Sequence, residues 1–247
     1  MQCRAYGNEP YKVIVVHGGP GAIGSCAGIC KGLSDKFGVL EILQSKNSIQ
    51  ELVDEMIDVI KSYGLKQVVL VGHSWGAWLS FIFASLHPEH VGKLILVGSG
   101  LFDVKYYPQL VEANTVKIMP EEQKRDMQFA NLLSENMEYN PYSYCLLPNI
   151  SDDVISFNEE QCKALMGEIM PIRDSGELLN YSEKINCPVV AIHGKNDPHI
   201  VDGIKIPLEN HLSNFKMHVL EKCGHEPWKE HYAKEKFFDV LKKELDA

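Results

Sequence analysis

The segment Gly72-His73-Ser74-Trp75-Gly76 carries the most informative pattern in the chain, a serine flanked at two residues' distance by glycines. An apolar run at 67–71 precedes it and a longer apolar stretch at 77–84 follows it. A glycine-x-serine-x-glycine segment between a buried strand and a helix is the nucleophile-elbow pattern. The tight turn strains the serine backbone and holds its hydroxyl up at the carboxyl edge of a sheet. The pattern therefore predicts Ser74 as a catalytic nucleophile.

A serine nucleophile needs a basic partner and an acid that orients that partner, and two loops supply both. Asp197 follows the predicted strand Pro188–His193, and His225 follows the predicted strand Lys216–Leu220. Carboxyl ends of parallel strands share one edge of a sheet, so these side chains should converge on Ser74. The chain order of serine, acid and histidine is the order expected after a nucleophile elbow.

Other carboxylates compete for the role of the acid. Asp103 follows the predicted strand Lys93–Gly98 and is the main alternative to Asp197. Asp202 lies further into the next segment and is a weaker alternative. Asp197 itself has a structural alternative, an Asx turn ahead of Pro198.

A glycine-rich loop, His17-Gly18-Gly19-Pro20-Gly21, ends the first predicted strand. An oxyanion formed during acyl transfer needs two backbone N–H donors, one from the residue after the nucleophile and one from a loop of this kind. Trp75 is the first expected donor. Gly19 is the preferred second donor and Gly18 the next choice, whereas Pro20 has no N–H to donate.

The same loop also fits the dinucleotide-binding pattern glycine-x-glycine-x-x-glycine at 19–24, with Glu41 on the next predicted strand. That interpretation leaves the elbow and both partner loops unexplained. It also needs the acidic residue at the end of its strand, whereas Glu41 falls inside the strand. The sequence thus disfavours a dinucleotide enzyme.

Short β-branched runs alternate with helical patterns, which predicts an α/β fold with a mostly parallel sheet covered by helices on both faces. The predicted strands are Lys12–Val16, Val39–Leu43, Gln67–Val71, Lys93–Gly98, Pro188–His193 and Lys216–Leu220. The predicted helices of this part are Ile23–Leu33, Ser48–Tyr63 with Ser48 as its cap, Trp75–Leu86 and Lys229–Leu245.

The alternation stops after Gly100, and no strand is expected between Leu101 and Ile185. Helices are predicted there at Pro108–Met119, Glu121–Glu138 and Asn158–Ile169. An interruption of this length indicates an inserted helical cap rather than a loop. The predicted organisation is a core of residues 1–100 and 186–247, with a cap at 101–185.

Composition narrows the classes of partner. With 247 residues, 45% of them hydrophobic, the chain can form one large domain, and its net charge of −9 disfavours nucleic acid and anionic membranes. No apolar run approaches the length of a membrane span, and no secretory signal region opens the sequence. The seven scattered cysteines predict reduced thiols in the cytoplasm, since the pair Cys26 and Cys30 lacks the second ligand pair of a zinc site. No metal or cofactor is expected, and the sequence predicts no particular oligomeric state.

Taken together, the 72–76 elbow, the Asp197 loop and the Gly224-His225 pair resemble the α/β-hydrolase superfamily over nearly the whole chain. Within it, His17-Gly18-Gly19-Pro20-Gly21 combined with Ser74-Trp75-Gly76 is similar to the proline iminopeptidases. That resemblance implies removal of N-terminal proline from small peptides by serine chemistry without a cofactor. It also implies that cap carboxylates hold the substrate's free amine. The chain departs from that family at the elbow, where it has His73 in place of the usual glycine.

The sequence therefore predicts a serine hydrolase that acts on an ester, amide or short peptide. A carboxylesterase or acylglycerol lipase with the same triad is the alternative among enzymes. A non-catalytic ligand-binding protein on the same fold is the alternative outside them.

Overall fold

The computed structural model of the chain describes residues 3–134, 137–148 and 154–247. Within these ranges seven strands form one sheet and two short strands pair separately. The strands are β1 (Cys3–Tyr6), β2 (Tyr11–Val16), β3 (Ala22–Ile23), β4 (Gly38–Ile42), β5 (Val68–His73), β6 (Val91–Val97), β7 (Ser156–Phe157), β8 (Val189–Gly194) and β9 (Phe215–Leu220). The order across the large sheet is β1-β4-β2-β5-β6-β8-β9, and β1 is antiparallel to β4 while the other pairs are parallel.

The helices of the described residues either cover the two faces of this sheet or lie in the segment 101–185. They are α1 (Ala27–Leu33), α2 (Ile49–Ser62), α3 (Trp75–Leu86), α4 (Tyr107–Thr115), α5 (Glu121–Phe129), α6 (Glu159–Asp174), α7 (Glu177–Asn180), α8 (Asp202–His211) and α9 (Lys234–Asp246). Alternate residues of β2 enter two separate cores, since Val13 and Val15 pack with α1 and α9 while Ile14 and Val16 pack with α2, α3 and α8. This division follows the two-residue period of a strand that is buried on both faces.

The predicted fold class is confirmed, and all six predicted strands form. The predicted cap of α2 also forms, because the Ser48 hydroxyl accepts from the Glu51 N–H at 3.3 Å and donates to the Glu51 carboxylate at 2.8 Å. The hydroxyl thus satisfies one of the N–H groups that lack a partner in the first turn of α2. Local sequence patterns, such as a capping residue or a short apolar run, therefore predict the helices and strands that surround the elbow.

The amino-terminal part of the sheet and its contact with the cap differ from the prediction in three ways. The edge strand β1 was not expected, since its four residues are too few to show a period. The helix predicted from Ile23 begins only at Ala27, because Ala22 and Ile23 pair with Ser156 and Phe157. The expectation of a cap without strands is therefore wrong at β7, where two cap residues extend the glycine-rich loop into a small sheet.

Several helix limits also differ from the prediction. The first two cap helices end early, α4 at Thr115 and α5 at Phe129, and Asn131 after α5 takes a left-handed φ of 56° that interrupts the helix. The tail predicted for α5 includes residues 135–136, which lie outside the described residues. Conversely, α6 continues through Pro171 to Asp174.

Towards the end of the chain, α8 was not predicted, and α9 begins at Lys234 instead of Lys229. A separate turn of 3-10 helix occupies Pro227–Lys229, where the Pro227 ring starts a short helix that does not continue. This turn belongs to the loop that carries His225.

None of the helices in the described ranges is long and apolar enough to cross a membrane. The seven cysteines are free thiols, and four of them, Cys26, Cys30, Cys145 and Cys223, are buried.

Candidate active site

Ser74 lies at the turn between β5 and α3 with φ 54° and ψ −119°. Residues other than glycine rarely adopt this backbone conformation. Its N–H donates to the Val97 carbonyl at 3.0 Å, which fixes the turn to the neighbouring strand. Side chains at Gly72 or Gly76 would collide with the backbone, Gly72 with Gly76 and Gly76 with Val16. The turn thus has the strained geometry of a nucleophile elbow, and Ser74 is half-buried.

Asp197 and His225 meet at the carboxyl edge of the sheet, as their positions after β8 and β9 predict. The His225 Nδ1–H donates to Asp197 Oδ2 at 2.7 Å. The elbow borders the same loop, because the His73 ring donates from Nε2 to the His225 carbonyl at 3.2 Å and its centroid is 4.9 Å from that of His225. Asp197 and His225 are therefore in direct contact, and the residue next to Ser74 in the elbow packs against His225.

The electrostatics of this pair suit a base that becomes positively charged. Burial by itself raises the pKa of Asp197, but the charge of His225 and the histidine hydrogen bonds outweigh it and hold the pKa well below 3.8. Burial likewise lowers the pKa of His225, yet the Asp197 charge and hydrogen bond raise it above 6.5 overall. Asp197 is thus a fixed negative charge that stabilises the imidazolium form of His225.

A buried glutamate holds the loop of His225 against the cap. Glu230 is fully buried, and its carboxylate accepts N–H groups from Gly224 at 3.0 Å, Tyr144 at 2.7 Å and Cys145 at 2.6 Å. The His225 N–H also donates to a cap carbonyl, that of Tyr142, at 2.8 Å. Sequence reasoning missed Glu230, which lies between the predicted base and the last helix.

The alternative acids lie in other settings. Asp103 caps a short helical turn, accepts the Lys105 N–H at 2.9 Å and pairs with the Lys105 ammonium at 2.9 Å. Asp202 lies in the first turn of α8. The described contacts of His225 include a carboxylate from Asp197 and none from these two residues.

The glycine-rich loop lies directly beside the elbow. A methyl group on Gly18 would be 2.5 Å from His73 Nδ1 and 2.9 Å from the Cβ of Ser74. Gly19 takes a left-handed φ of 46°, and its carbonyl accepts the Ala22 N–H at 2.7 Å. The loop is therefore close enough to present its backbone to an atom bonded to Ser74, as the proposed roles of Gly18, Gly19 and Trp75 require.

A buried polar network fixes this loop and was not predicted. The Gln44 side chain donates to the His17 carbonyl at 2.9 Å and accepts the Trp75 indole N–H at 2.8 Å. The Gln161 amide on cap helix α6 donates to the backbone carbonyls of Gln44 at 3.2 Å and Lys46 at 2.8 Å. Burial lowers the pKa of His17 to about 4, so this imidazole is neutral at physiological pH. The network joins the loop, the elbow and the cap.

Replacing Gly18 by alanine should reduce kcat/KM at least about tenfold, because the added methyl, 2.5 Å from His73 Nδ1, forces the loop or the elbow to move and weakens oxyanion binding. Steady-state ester hydrolysis measures the loss. Gly167→Ala is the matched control, since nothing lies within 4 Å of its added methyl on α6. The control should keep full activity and gain up to about 1 kcal/mol of stability. Equal activity of both variants would contradict the proposed role of the loop.

The structure also accounts for the dinucleotide pattern in the same loop. Glu41 is fully buried inside β4 and binds Arg4 at 2.7 Å and the Tyr6 hydroxyl at 2.9 Å. Gly21 packs against the Asn158 backbone of the cap, so a side chain there would collide with it. Glu41 and this glycine therefore serve the packing of β1, β4 and the cap.

One group of side chains in the described residues has the composition and spacing of metal ligands. Asp197, His199 and His225 each offer a ligand atom within 4.8 Å of the others. His199 was not singled out from the sequence, although its position two residues after Asp197 was a usable signal. This group overlaps the candidate acid and base.

Comparison with known proteins agrees with the fold. Residues 45–144 match the family model described as alpha/beta hydrolase fold. A 2-hydroxy-6-oxononadienedioate/2-hydroxy-6-oxononatrienedioate hydrolase of Paraburkholderia phymatum is 26% identical over 245 residues, which cover 96% of this chain and 77% of that protein. A proline iminopeptidase of Neisseria gonorrhoeae is 32% identical over 139 residues, 50% of this chain and 43% of that protein.

Among solved structures, the crystal structure of VinJ superposes with a TM-score of 0.72 at 18% identity, covering 99% of this chain and 94% of that one. The chain has the α/β-hydrolase fold. Its relatives named above are hydrolases with different substrates, so the comparisons support a hydrolase and leave its substrate open.

Proposed function

We propose that the chain is a serine hydrolase that cleaves an ester or amide bond of a small substrate through an acyl-enzyme. The strained backbone of Ser74 is the observation that carries the proposal, since a φ of 54° at a non-glycine residue is costly unless it serves the site. The hydrogen bond between His225 and Asp197 supplies the partner that a serine nucleophile needs.

In the first step, Ser74 attacks the substrate carbonyl carbon while His225 Nε2 takes the proton of the serine hydroxyl. The carbonyl oxygen becomes an oxyanion, which the N–H groups of Trp75 and of the Gly18-Gly19 loop stabilise. Asp197 stabilises the imidazolium that forms. His225 then gives its proton to the leaving alcohol or amine, whose bond to the carbonyl carbon breaks.

In the second step, water attacks the acyl group on Ser74, with His225 again taking a proton. Collapse of the intermediate breaks the bond to the Ser74 oxygen, which recovers its proton from His225. The acid is released and the site returns to its starting state. Both steps use the same oxyanion donors.

The cap favours an uncharged ester over a peptide with a free amine. An N-terminal ammonium group needs a carboxylate in the site, and the cap glutamates of the described residues are exposed. Glu168 accepts the backbone N–H of Ile49 at 2.9 Å and is thus engaged in packing α6 against α2. Gln161, the polar residue that α6 buries against Gln44, is neutral, and the buried charge of α6 is the cation Arg173.

An iminopeptidase is the second candidate, favoured by the loop sequence at 17–21 and by the 32% identical relative. Comparing p-nitrophenyl acetate and butyrate with proline 4-nitroanilide separates the two. We expect higher kcat/KM for the esters. A higher kcat/KM for the anilide would assign the peptidase activity instead.

A fluorophosphonate probe tests the chemistry without a choice of substrate. We expect covalent labelling of Ser74, located by mass spectrometry of the digested protein, and no labelling of Ser74→Ala. Intact, folded protein that fails to react at Ser74 would favour the ligand-binding alternative.

The pH dependence follows from the sign of the His225 shift. Only neutral His225 can accept the Ser74 proton, and Asp197 raises the pKa of His225 above 6.5. Ester hydrolysis should therefore lose kcat/KM as the pH falls through a value above 6.5. Asp197→Asn should move this limb to lower pH, because the charge that favours the imidazolium is gone. An acid limb that stays in place would show that another group titrates.

A further inference from the structure

A second histidine shares the candidate catalytic carboxylate. The His199 ring donates from Nδ1 to Asp197 Oδ1 at 2.9 Å, while His225 occupies Oδ2 at 2.7 Å. The two imidazole centroids are 5.0 Å apart. The proposed hydrolysis uses His225 and gives His199 no role, so the second imidazole calls for an explanation.

The arrangement suits a transition-metal ion of the zinc type. Zinc in proteins takes imidazole nitrogen and carboxylate oxygen ligands at about 2.0–2.2 Å with tetrahedral geometry, which places neighbouring ligand atoms about 3.3 Å apart. The ligand atoms of Asp197, His199 and His225 all lie within 4.8 Å of one another. Closing the widest possible gap to the tetrahedral spacing takes a movement of up to about 1.5 Å at a ligand atom, which rotation of the imidazole side chains supplies.

The ligands are held in place and can be reached by solvent. The Asp197 side chain is fully buried, whereas the side chains of His225 and His199 are 12% and 16% exposed. His193 donates from Nε2 to the His199 carbonyl at 2.6 Å, which fixes the backbone of the second histidine. A site formed before the metal arrives avoids much of the cost of ordering its ligands.

The loops that carry the ligands are also bound to each other. The Asn196 N–H donates to the Cys223 carbonyl at 2.8 Å, and the Cys223 N–H donates to the Asn196 side chain at 3.3 Å. These bonds do not involve the three ligands. The loops therefore stay together when the hydrogen bonds to Asp197 are replaced by bonds to a metal.

We propose that Asp197, His199 and His225 form an inhibitory site for Zn²⁺ or a similar transition-metal ion. The binding itself is independent of the proposed hydrolase function, and only the inhibition rests on it. A water molecule completes a tetrahedral set of one oxygen and two nitrogen ligands from the chain.

Binding changes the proton position of His225 without net release of a proton. The metal takes the Nδ1 lone pair, so the hydrogen that Nδ1 donated to Asp197 moves through solvent to Nε2. His225 then carries a proton on the nitrogen that must accept one from Ser74. No bond to carbon forms or breaks and nothing is oxidised, but the base is lost while the metal stays bound.

Cobalt(II) provides a spectroscopic test on the whole chain. We expect visible d–d bands of a tetrahedral nitrogen and oxygen site at one equivalent of Co²⁺, displaced by Zn²⁺. The seven free cysteines are the competing ligands, and they would add a thiolate charge-transfer band in the near ultraviolet. A spectrum with that band, or no visible band, overturns the metal site.

His199→Asn removes one nitrogen ligand while keeping an N–H donor near Asp197. We expect the Zn²⁺ concentration for half inhibition, measured against the variant's own metal-free rate, to rise at least about tenfold. His218→Asn is the matched control, since that histidine lies within β9 and pairs with Glu244 of α9, away from the three ligands. Unchanged inhibition in His199→Asn, with its folding verified by thermal unfolding, overturns the proposal.

Ser74→Ala separates the two hypotheses. It should bind Co²⁺ with the spectrum of the unaltered chain, because Ser74 is not a ligand. Metal binding in a chain that hydrolyses nothing leaves this site standing and refutes the proposed function. Hydrolysis that Zn²⁺ does not slow refutes the inhibitory site alone.

Discussion

Ser74→Ala should abolish ester hydrolysis, with kcat falling by about five to six orders of magnitude. Loss of a serine nucleophile from an acyl-transfer triad removes the covalent route and leaves only the contribution of binding and the oxyanion donors. The proposed role of this hydroxyl is consistent with the strained backbone of Ser74, whose φ is 54°. The loss is measured as the rate of p-nitrophenyl butyrate hydrolysis and as the extent of covalent labelling of the active site.

Ser80→Ala is the control for this variant. Ser80 lies on α3, the helix that follows Ser74. Its hydroxyl is fully buried and has no hydrogen-bond partner among the described residues. Removing an unpartnered buried hydroxyl should leave activity and folding intact or improve stability. Turnover by Ser74→Ala close to that of Ser80→Ala would assign the nucleophile to another residue.

Asp197→Asn should lower kcat by about four orders of magnitude while the fold persists. The asparagine amide no longer offers a full negative charge to the imidazolium, and it can turn its N–H₂ toward His225 Nδ1, which favours the tautomer with a proton on Nε2. The base is then in the wrong form for Ser74. Steady-state kinetics with thermal unfolding as the test of folding measures the effect.

Asp103→Asn provides the comparison, because Asp103 was the main alternative for the acid. Its carboxylate pairs with Lys105 and caps a turn, so the variant should lose at most about 1 kcal/mol of stability and retain its activity. A larger loss of kcat in Asp103→Asn than in Asp197→Asn would identify Asp103 as the acid.

The positions of the elbow and of the loops that carry Asp197 and His225 could be predicted from short sequence patterns and one rule of sheet topology. The elbow is defined by five consecutive residues, and the loops of Asp197 and His225 each follow a short apolar strand. In a parallel sheet these loops must share an edge. No side-chain contact had to be known for that inference.

The hydrogen bonds that join the cap to the site could not be predicted from such patterns. Gln161 reaches Gln44 across 117 residues, and Glu230 reaches Tyr144 across 86. Nothing in the neighbouring sequence of either residue indicates a partner so far away. The pairing of β3 with β7 was missed for the same reason, since two-residue strands have no period and depend on how the cap is placed.

The hydrogen bonds of Gln161 and Glu230 have a consequence for how substrates enter. They fasten the cap to the core at two points, α6 to the residues after β4 and the 142–145 segment to the His225 loop. Releasing either point would expose buried polar groups, so we expect the cap to stay attached to the core during turnover. Substrates should then be selected by a space of fixed size between cap and core, and lengthening the acyl chain should raise KM abruptly at one chain length while kcat stays level.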